Sequence, residues 1–144
     1  MKYLSFTLII IVASFFTSCK KCDPANSSSG LIIEDAIIRV IGGHSGGQFI
    51  SNASEYPSLI EMSLDGGVTY TPVDYSKYSV FALATTSSCS SGYNRNVNAN
   101  AASETVTYSI KITECSTCDN LVTISNWVLT SKVPSHYTPI FSIN

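Results

Sequence analysis

The feature that most constrains the fold is a strict alternation of apolar and polar side chains in residues 105–113. Val106, Tyr108, Ile110 and Ile112 alternate with threonine, serine and lysine residues. A period of two is that of a β-strand with one buried face, and β-branched and aromatic residues favour strands. We therefore expect a half-buried strand in this segment.

Further short strands are expected along the rest of the chain, in residues 31–41, 58–64, 68–70, 77–84, 121–124 and 127–130. The 77–84 segment is apolar on both faces, which indicates a central strand. Asp65, Gly66 and Gly67 predict a tight hairpin turn. The serine- and asparagine-rich residues 85–103 are expected to form a long loop. Proline residues at 134 and 139 restrict the C-terminal segment to edge or irregular structure.

These elements predict an all-β fold with about seven strands, an antiparallel β-sandwich of immunoglobulin-like type. A closed barrel is the alternative. After residue 18, the sequence shows no capped amphipathic pattern of the kind that predicts a long helix. A net charge of −2, with eight lysine and arginine residues, gives no basic footprint for nucleic acid. An apolar content of 44% argues against disorder.

The N-terminus has the pattern of a secretory signal. Met1 and Lys2 supply a positive start, and residues 3–17 carry no charge. This run is shorter than the roughly 20 residues of a spanning helix, so it predicts a signal helix that is removed. It ends in Ser18-Cys19 and resembles the lipobox of bacterial lipoproteins, although Phe16 stands where leucine is usual. The alternative is an ordinary cleaved signal.

The lipobox resemblance implies a signal peptide over residues 1–18, lipidation of Cys19 and anchoring to a membrane without spanning it. Residues 19–30 are rich in serine, asparagine, proline and glycine, so they predict a flexible tether. Residues 31–144 then form a single domain. Lys20 follows the lipidated cysteine where retention in the inner membrane usually needs aspartate, so the resemblance favours the outer membrane, with the face unresolved.

Four cysteines remain in the mature chain besides Cys19: Cys22, Cys89, Cys115 and Cys118. An even number in an exported domain favours two disulfides. We prefer Cys22–Cys89 and Cys115–Cys118, and the alternative pairs Cys89 with one member of the C-x-x-C pair. The C-x-x-C spacing also fits a thiol–disulfide oxidoreductase, which needs its first cysteine at a helix N-terminus. A zinc site is possible by count but disfavoured in an oxidising compartment.

Two further motifs are interpreted as turns. Gly43-His44-Ser45-Gly46-Gly47 matches the G-x-S-x-G pattern of a nucleophile elbow, with His136 and Asp74 as conceivable partners of Ser45. No helical period follows Ser45, so a glycine-rich turn is favoured over a hydrolase. Residues 63–70 resemble the Asp-box hairpin of sialidase-type propellers, where the motif is a structural turn.

Aromatic side chains could form a glycan-stacking surface, although packing in a β core is the more ordinary role. The candidates are Tyr70, Tyr75, Tyr78, Tyr93, Trp127 and Tyr137. The two histidines are far apart in sequence, and the acidic residues lack calcium-loop spacing. No metal or cofactor is therefore expected.

One broader resemblance covers about 40 residues beyond the signal. Residues 78–84, Cys89, the Gly92-Tyr93 pair and residues 106–113 resemble small uncharacterised lipoproteins of the Bacteroidota. That group has no established activity, so the resemblance implies no catalytic residues.

The sequence therefore predicts a non-catalytic binding or structural lipoprotein of the cell envelope, with an envelope protein or a glycan as partner. A thiol–disulfide oxidoreductase using Cys115 and Cys118 is one alternative. A glycan-binding accessory lipoprotein is the other.

Overall fold

The computed structural model describes residues 24–41, 46–56, 58–115 and 120–144. They form ten strands and one short 3-10 helix, Ala53–Glu55. The strands are β1 Ser27–Gly30, β2 Ile37–Val40, β3 Gly47–Ile50, β4 Ile60–Ser63, β5 Thr71–Pro72, β6 Tyr78–Ser88, β7 Ser91–Asn100, β8 Thr105–Glu114, β9 Leu121–Ser131 and β10 Thr138–Ile143. The predicted all-β sandwich is confirmed, with ten described strands rather than about seven. The immunoglobulin-like topology stays a prediction, and the expected signal helix and Cys19 lie outside the described residues.

The strands form three sheets. The largest has the order β1-β7-β8-β10, the second β3-β6-β9 and the smallest β2-β4-β5. Pairing is antiparallel except that β1 runs parallel to β7 and β10 parallel to β8. Both parallel strands are edge strands of the largest sheet, and Pro139 in β10 lies at the kind of edge position where the missing N–H is tolerated.

The β3-β6-β9 sheet packs on both of its faces. One face supplies Phe81, Leu83 and Val128 to a cluster shared with the largest sheet. The other face supplies Val80 and Leu129 to a second cluster shared with the smallest sheet. This double packing explains why the β6 sequence is apolar at successive positions, and it confirms β6 as a central strand.

The alternation that predicted β8 is also confirmed. Val106, Tyr108 and Ile110 are fully buried, and Ile112 packs at the margin of the first cluster. The intervening threonine and serine side chains lie on the opposite face. This strand pairs with β7 over ten residues, from Ser91 opposite Glu114 to Asn100 opposite Thr105.

The long loop expected for residues 85–103 is wrong. β6 continues to Ser88, and β7 occupies Ser91–Asn100, so only short turns interrupt the strands. Tyr93 and Val97 are buried on the inner face of β7, while Asn94 and Asn98 are exposed on the outer face. Packing and strand pairing have overridden the low intrinsic preference of asparagine for strands.

The N-terminal segment changes sheets. Ser27–Gly30 form β1 beside β7, which corrects the tether predicted to run to Gly30. The chain then crosses to β9, where the Ile33 N–H donates to the Leu129 carbonyl (2.9 Å) and the Ser131 N–H donates to the Leu31 carbonyl (3.2 Å). The predicted single strand over residues 31–41 is therefore divided, and β2 begins at Ile37.

Two smaller differences concern β4 and β9. The structure buries Ile60 and Met62 as expected, but Leu64 lies in the turn after β4 and is half exposed. The two short strands expected for residues 121–124 and 127–130 are one continuous strand, β9. Within the described ranges, no helix is both long and apolar enough to span a bilayer.

Candidate functional site

The described cysteines lie at one end of the sandwich. Cys89 directly follows β6, and its N–H donates to the Asn120 carbonyl (2.9 Å). Cys115 directly follows β8; it is buried, and its N–H donates to the Ser90 carbonyl (2.9 Å). Cys118 and Cys22 lie outside the described residues.

The chain near Cys22 reaches the same end. The backbone of Pro24 and Ala25 packs directly on Gly92, where a Cβ atom would lie 2.5 Å from the Ala25 carbonyl oxygen. The Tyr93 N–H also donates to the Asn26 side-chain oxygen (3.0 Å). Sequence neighbours of all four cysteines therefore meet at this end of the fold.

The serine-hydrolase partners are not brought together. Asp74 accepts hydrogen bonds from the Ser76 hydroxyl and pairs with Lys77. His136 is exposed and has Glu104 as its acidic neighbour, at 4.0 Å. Ser45 lies outside the described residues, so the structure gives no geometry for it.

The aromatic side chains do not share one surface. Tyr75, Tyr78 and Trp127 pack against the second cluster, whereas Tyr93 and Tyr137 belong to the first. Tyr70 directly precedes β5, and the Arg39 guanidinium stacks 4.0 Å from its ring centroid. Tyr75 lines a cleft of about 290 Å³ together with Tyr56, and burial followed by the nearby Glu55 carboxylate raises its pKa to about 12.

The Asp-box-like turn is present, but the strand expected at residues 68–70 is not, since β5 begins only at Thr71. The Ser63 hydroxyl donates to the Asp65 carboxylate (2.6 Å), which also accepts from the backbone N–H groups of Val68 and Thr69. Gly66 and Gly67 have positive φ angles of 73° and 89°, which glycine adopts without a steric penalty. The interactions fix the hairpin between β4 and β5.

This turn gives a pH-dependent prediction. The hydrogen bond from Ser63 and those from the Thr69 and Val68 N–H groups lower the Asp65 pKa from 3.8 to about 2. Because the folded-state pKa is below the unfolded one, Asp65 stabilises the fold fully above pH 3.8, and this contribution is lost as the pH falls from there through about 2. We expect Asp65→Asn to unfold about 2 °C below the wild type at pH 6.

At pH 2, where Asp65 of the folded protein is half protonated, the difference in melting temperature should shrink to a small fraction of its value at pH 6, as measured by circular dichroism. Asp35→Asn, at another exposed turn, is the matched control. If Asp65→Asn melts below the wild type by the same amount at pH 6 and at pH 2, the result would contradict the assigned role of the carboxylate.

A polar pair interrupts the apolar core between the two larger sheets. Arg95 stands on the inner face of β7, between the buried residues Tyr93 and Val97. Asn126 stands on the inner face of β9 and is 2% exposed. The Arg95 Nε donates to the Asn126 Oδ1 (3.1 Å), so polar side chains from the two sheets meet where apolar contacts are the rule.

Asn126 is held in place by several contacts. Its Nδ2 donates to the Thr85 hydroxyl (2.9 Å) and to the Leu83 carbonyl (3.3 Å). The Tyr108 hydroxyl donates to the main-chain carbonyl oxygen of Asn126 (3.2 Å), and burial raises the pKa of that hydroxyl. Because its amide is fixed, Asn126 determines how the Arg95 guanidinium is oriented.

The Arg95 side chain lines an open cleft of about 350 Å³. The other lining residues are Asn26, Ser27, Ser28, Glu34 and Asp35. β1 contributes the serines, and the turn between the segment beside β9 and the start of β2 carries the two acidic residues. Asp35 has a φ of 64°, in the left-handed region that aspartate tolerates better than most residues.

Arg95 forms no ion pair with an acidic side chain in the part of the chain that the structure describes. The ion pairs among the described residues join Arg39 to Glu61, Lys77 to Asp74 and His136 to Glu104, and none includes Arg95. Its described contacts are the Asn126 amide and the Tyr93 ring, whose centroid is 5.6 Å from the guanidinium carbon. A half-buried cation with neutral partners has donor capacity left for an anion.

Arg95 and Asn126 are absent from the sites predicted by the sequence. The available signal is the alternation Tyr93-Arg95-Val97, which places a charged residue at an inward position. It depends on recognising residues 91–100 as a strand.

Comparisons with protein-family models, with curated proteins and with solved structures returned no match to this chain. Among the described residues, no group of three or more histidine, cysteine or acidic side chains is arranged to hold a metal.

Proposed function

We propose that this protein is a lipid-anchored, non-catalytic binding module of the cell envelope, and that it binds its ligand in the Arg95 cleft. The observation that carries the binding role is the charged residue at a core-facing position of β7, oriented by a buried amide and open to a cleft. Departures from apolar patterning of this kind are concentrated at functional sites.

The anchoring part of the proposal relies on the lipobox-like Ser18-Cys19. A diacylated cysteine would hold the domain at a membrane, and Lys20 after it favours the outer membrane. The first described residue is Pro24, and it already contacts Gly92. Few residues would then separate the lipid from the folded domain, so the proposed site would lie close to the membrane surface.

We also propose that the four mature cysteines form two disulfides, with Cys22–Cys89 and Cys115–Cys118 preferred. The contact of Pro24 and Ala25 with Gly92 supports this choice, because it holds the chain just after Cys22 beside the start of β7, three residues beyond Cys89. The alternative, Cys89 with a member of the C-x-x-C pair, is supported by the hydrogen bond between Cys89 and Asn120.

The anchor and the disulfides have one common test. Protein extracted from membranes after rapid alkylation of free thiols is expected to start at a lipidated Cys19 and to carry no alkyl group. When the disulfides are reduced before alkylation, four alkyl groups should be added. Cys19→Ser is the control, and it should remain unlipidated with the other four cysteines unchanged.

Other outcomes would change the proposal. An unlipidated mature N-terminus would contradict the anchor. Alkylation of Cys115 and Cys118 without prior reduction would favour the thiol–disulfide oxidoreductase, since a reactive pair exposes a thiolate that a structural disulfide does not.

The binding role has a separate test. A low-molecular-weight extract of the cell envelope should raise the melting temperature of the wild type and leave that of Arg95→Met unchanged, because a ligand stabilises only the form that binds it. Equal shifts in both proteins would remove the cleft as the site.

A further inference from the structure

We infer that the Arg95 cleft takes a small zwitterion, a free amino acid or short peptide with one carboxylate and one ammonium group. This inference deepens the proposed binding role and rests on it. Three features carry it: the donors left on Arg95, the two acidic residues that line the same cleft, and the size of the cleft.

The carboxylate is assigned to Arg95. The Nε of Arg95 is used by Asn126, which leaves the two terminal amino groups of the guanidinium as donors. Their planar arrangement matches the two oxygens of a carboxylate, and such paired charge-assisted bonds are among the stronger ones in proteins. Asn126 is then a positioning residue, since it acts on the ligand through Arg95.

The ammonium group is assigned to Glu34 and Asp35. Both side chains are exposed on the cleft, and neither takes part in an ion pair among the described residues. Two carboxylates beside one guanidinium repel a multiply charged anion such as a phosphate, because like charges at short range are unfavourable. They attract a cation, so the cleft as a whole favours a ligand that carries both signs.

The size of the cleft agrees with a small ligand. A volume of about 350 Å³ is at the lower end of the range for small-molecule sites. Ser28 of β1, which lies opposite Arg95 in the β1–β7 pair, lines the same cleft and adds a hydroxyl group that can bind a peptide group. A dipeptide carries its carboxylate and its ammonium group at opposite ends, so dialanine is a suitable probe.

The experiment is calorimetric titration of the full lipidated chain in detergent with three probes: dialanine, dialanine amide and N-acetyl-dialanine. The amide lacks the carboxylate, and the acetylated form lacks the ammonium group. We expect dialanine to bind, and either modification to weaken binding at least tenfold. Arg95→Met should weaken dialanine binding at least tenfold, whereas Lys111→Met, on the outer face of the same sheet, should not change it.

A second variant tests the acidic wall without touching the core. The double substitution Glu34→Gln with Asp35→Asn changes two exposed side chains, so folding should be retained. It is expected to weaken dialanine binding about fivefold and to strengthen binding of N-acetyl-dialanine. A general loss of structure would weaken the binding of both probes, so it would not weaken dialanine binding while it strengthens N-acetyl-dialanine binding.

Several results would overturn the inference. They are equal binding of dialanine and N-acetyl-dialanine, equal binding of dialanine and its amide, or no binding of any probe. If no probe binds but the envelope extract still stabilises the wild type and not Arg95→Met, the ligand class is wrong and the binding role stands. If the extract stabilises neither protein, the binding role fails as well.

Discussion

Replacing Phe81 with alanine is expected to lower the free energy of unfolding by about 3–5 kcal/mol. Phe81 is fully buried on β6, its ring stacks on Phe49 with a centroid distance of 4.8 Å, and it meets Tyr108 edge-on at 6.0 Å. The truncation would remove these contacts and leave a cavity between the two larger sheets. The regular strand pairing on both sides of β6 limits how far the cavity can collapse.

The measurement is urea denaturation followed by circular dichroism. Val68→Ala is the matched control, because Val68 is 83% exposed at the tip of the β4–β5 hairpin. Its cost should stay within about 0.5 kcal/mol. A loss below 1 kcal/mol for Phe81→Ala would contradict the packing of β6 against the largest sheet.

Much of the sandwich could be predicted from local pattern. The alternation in β8 and the double apolar face of β6 each follow from one physical rule, the burial of one or both faces of a strand. The Asp65 turn was predicted from its glycines and its short polar side chains. In these segments local preference and final packing agree.

The prediction was wrong where polar residues lie within strands. In β7 the asparagines at 94 and 98 face solvent, and their usual place in turns concealed the inward positions of Tyr93 and Val97. In β9 the serine and asparagine at 125 and 126 were interpreted as a break between strands. Asn126 is instead buried, and its amide is bonded across the core.

The candidate cleft could not be predicted for a related reason. It depends on contacts between residues distant in sequence, such as Arg95 with Asn126 and β1 with β7. A single sequence gives the polarity of each position but no register between strands. Once the register is known, a charged residue at an inward position becomes the most informative departure from the pattern.

The polar pair leads to the second large effect, on stability. Replacing Asn126 with leucine removes the acceptor of the Arg95 Nε and the donor to the Thr85 hydroxyl and the Leu83 carbonyl. The new side chain is similar in size, so loss of hydrogen bonds exceeds loss of packing. We expect Asn126→Leu to cost about 2–4 kcal/mol, because a charged donor is left half-buried without its partner.

Urea denaturation again provides the measurement, and Thr85→Val is the control. Thr85→Val removes one hydrogen bond of the Asn126 side chain but leaves the Arg95–Asn126 hydrogen bond in place. It should lower the free energy of unfolding by about 1 kcal/mol. A cost for Asn126→Leu no greater than that of Thr85→Val would show that the Arg95 contact contributes little to stability.

Arg95→Met is expected to behave differently. Methionine fits an inward position between Tyr93 and Val97, and it removes a charge that the fold holds half-buried. The variant should therefore be as stable as the wild type or more stable, while it loses the ability to bind an anion. In the double variant Arg95→Met with Asn126→Leu, no guanidinium is left without its hydrogen-bond acceptor. The loss in free energy of unfolding caused by Asn126→Leu should therefore be smaller in the Arg95→Met background than in the wild type. A selective loss of binding without a loss of stability would identify Arg95 as a residue retained for its ligand, since the core alone gains nothing from a charge at that position.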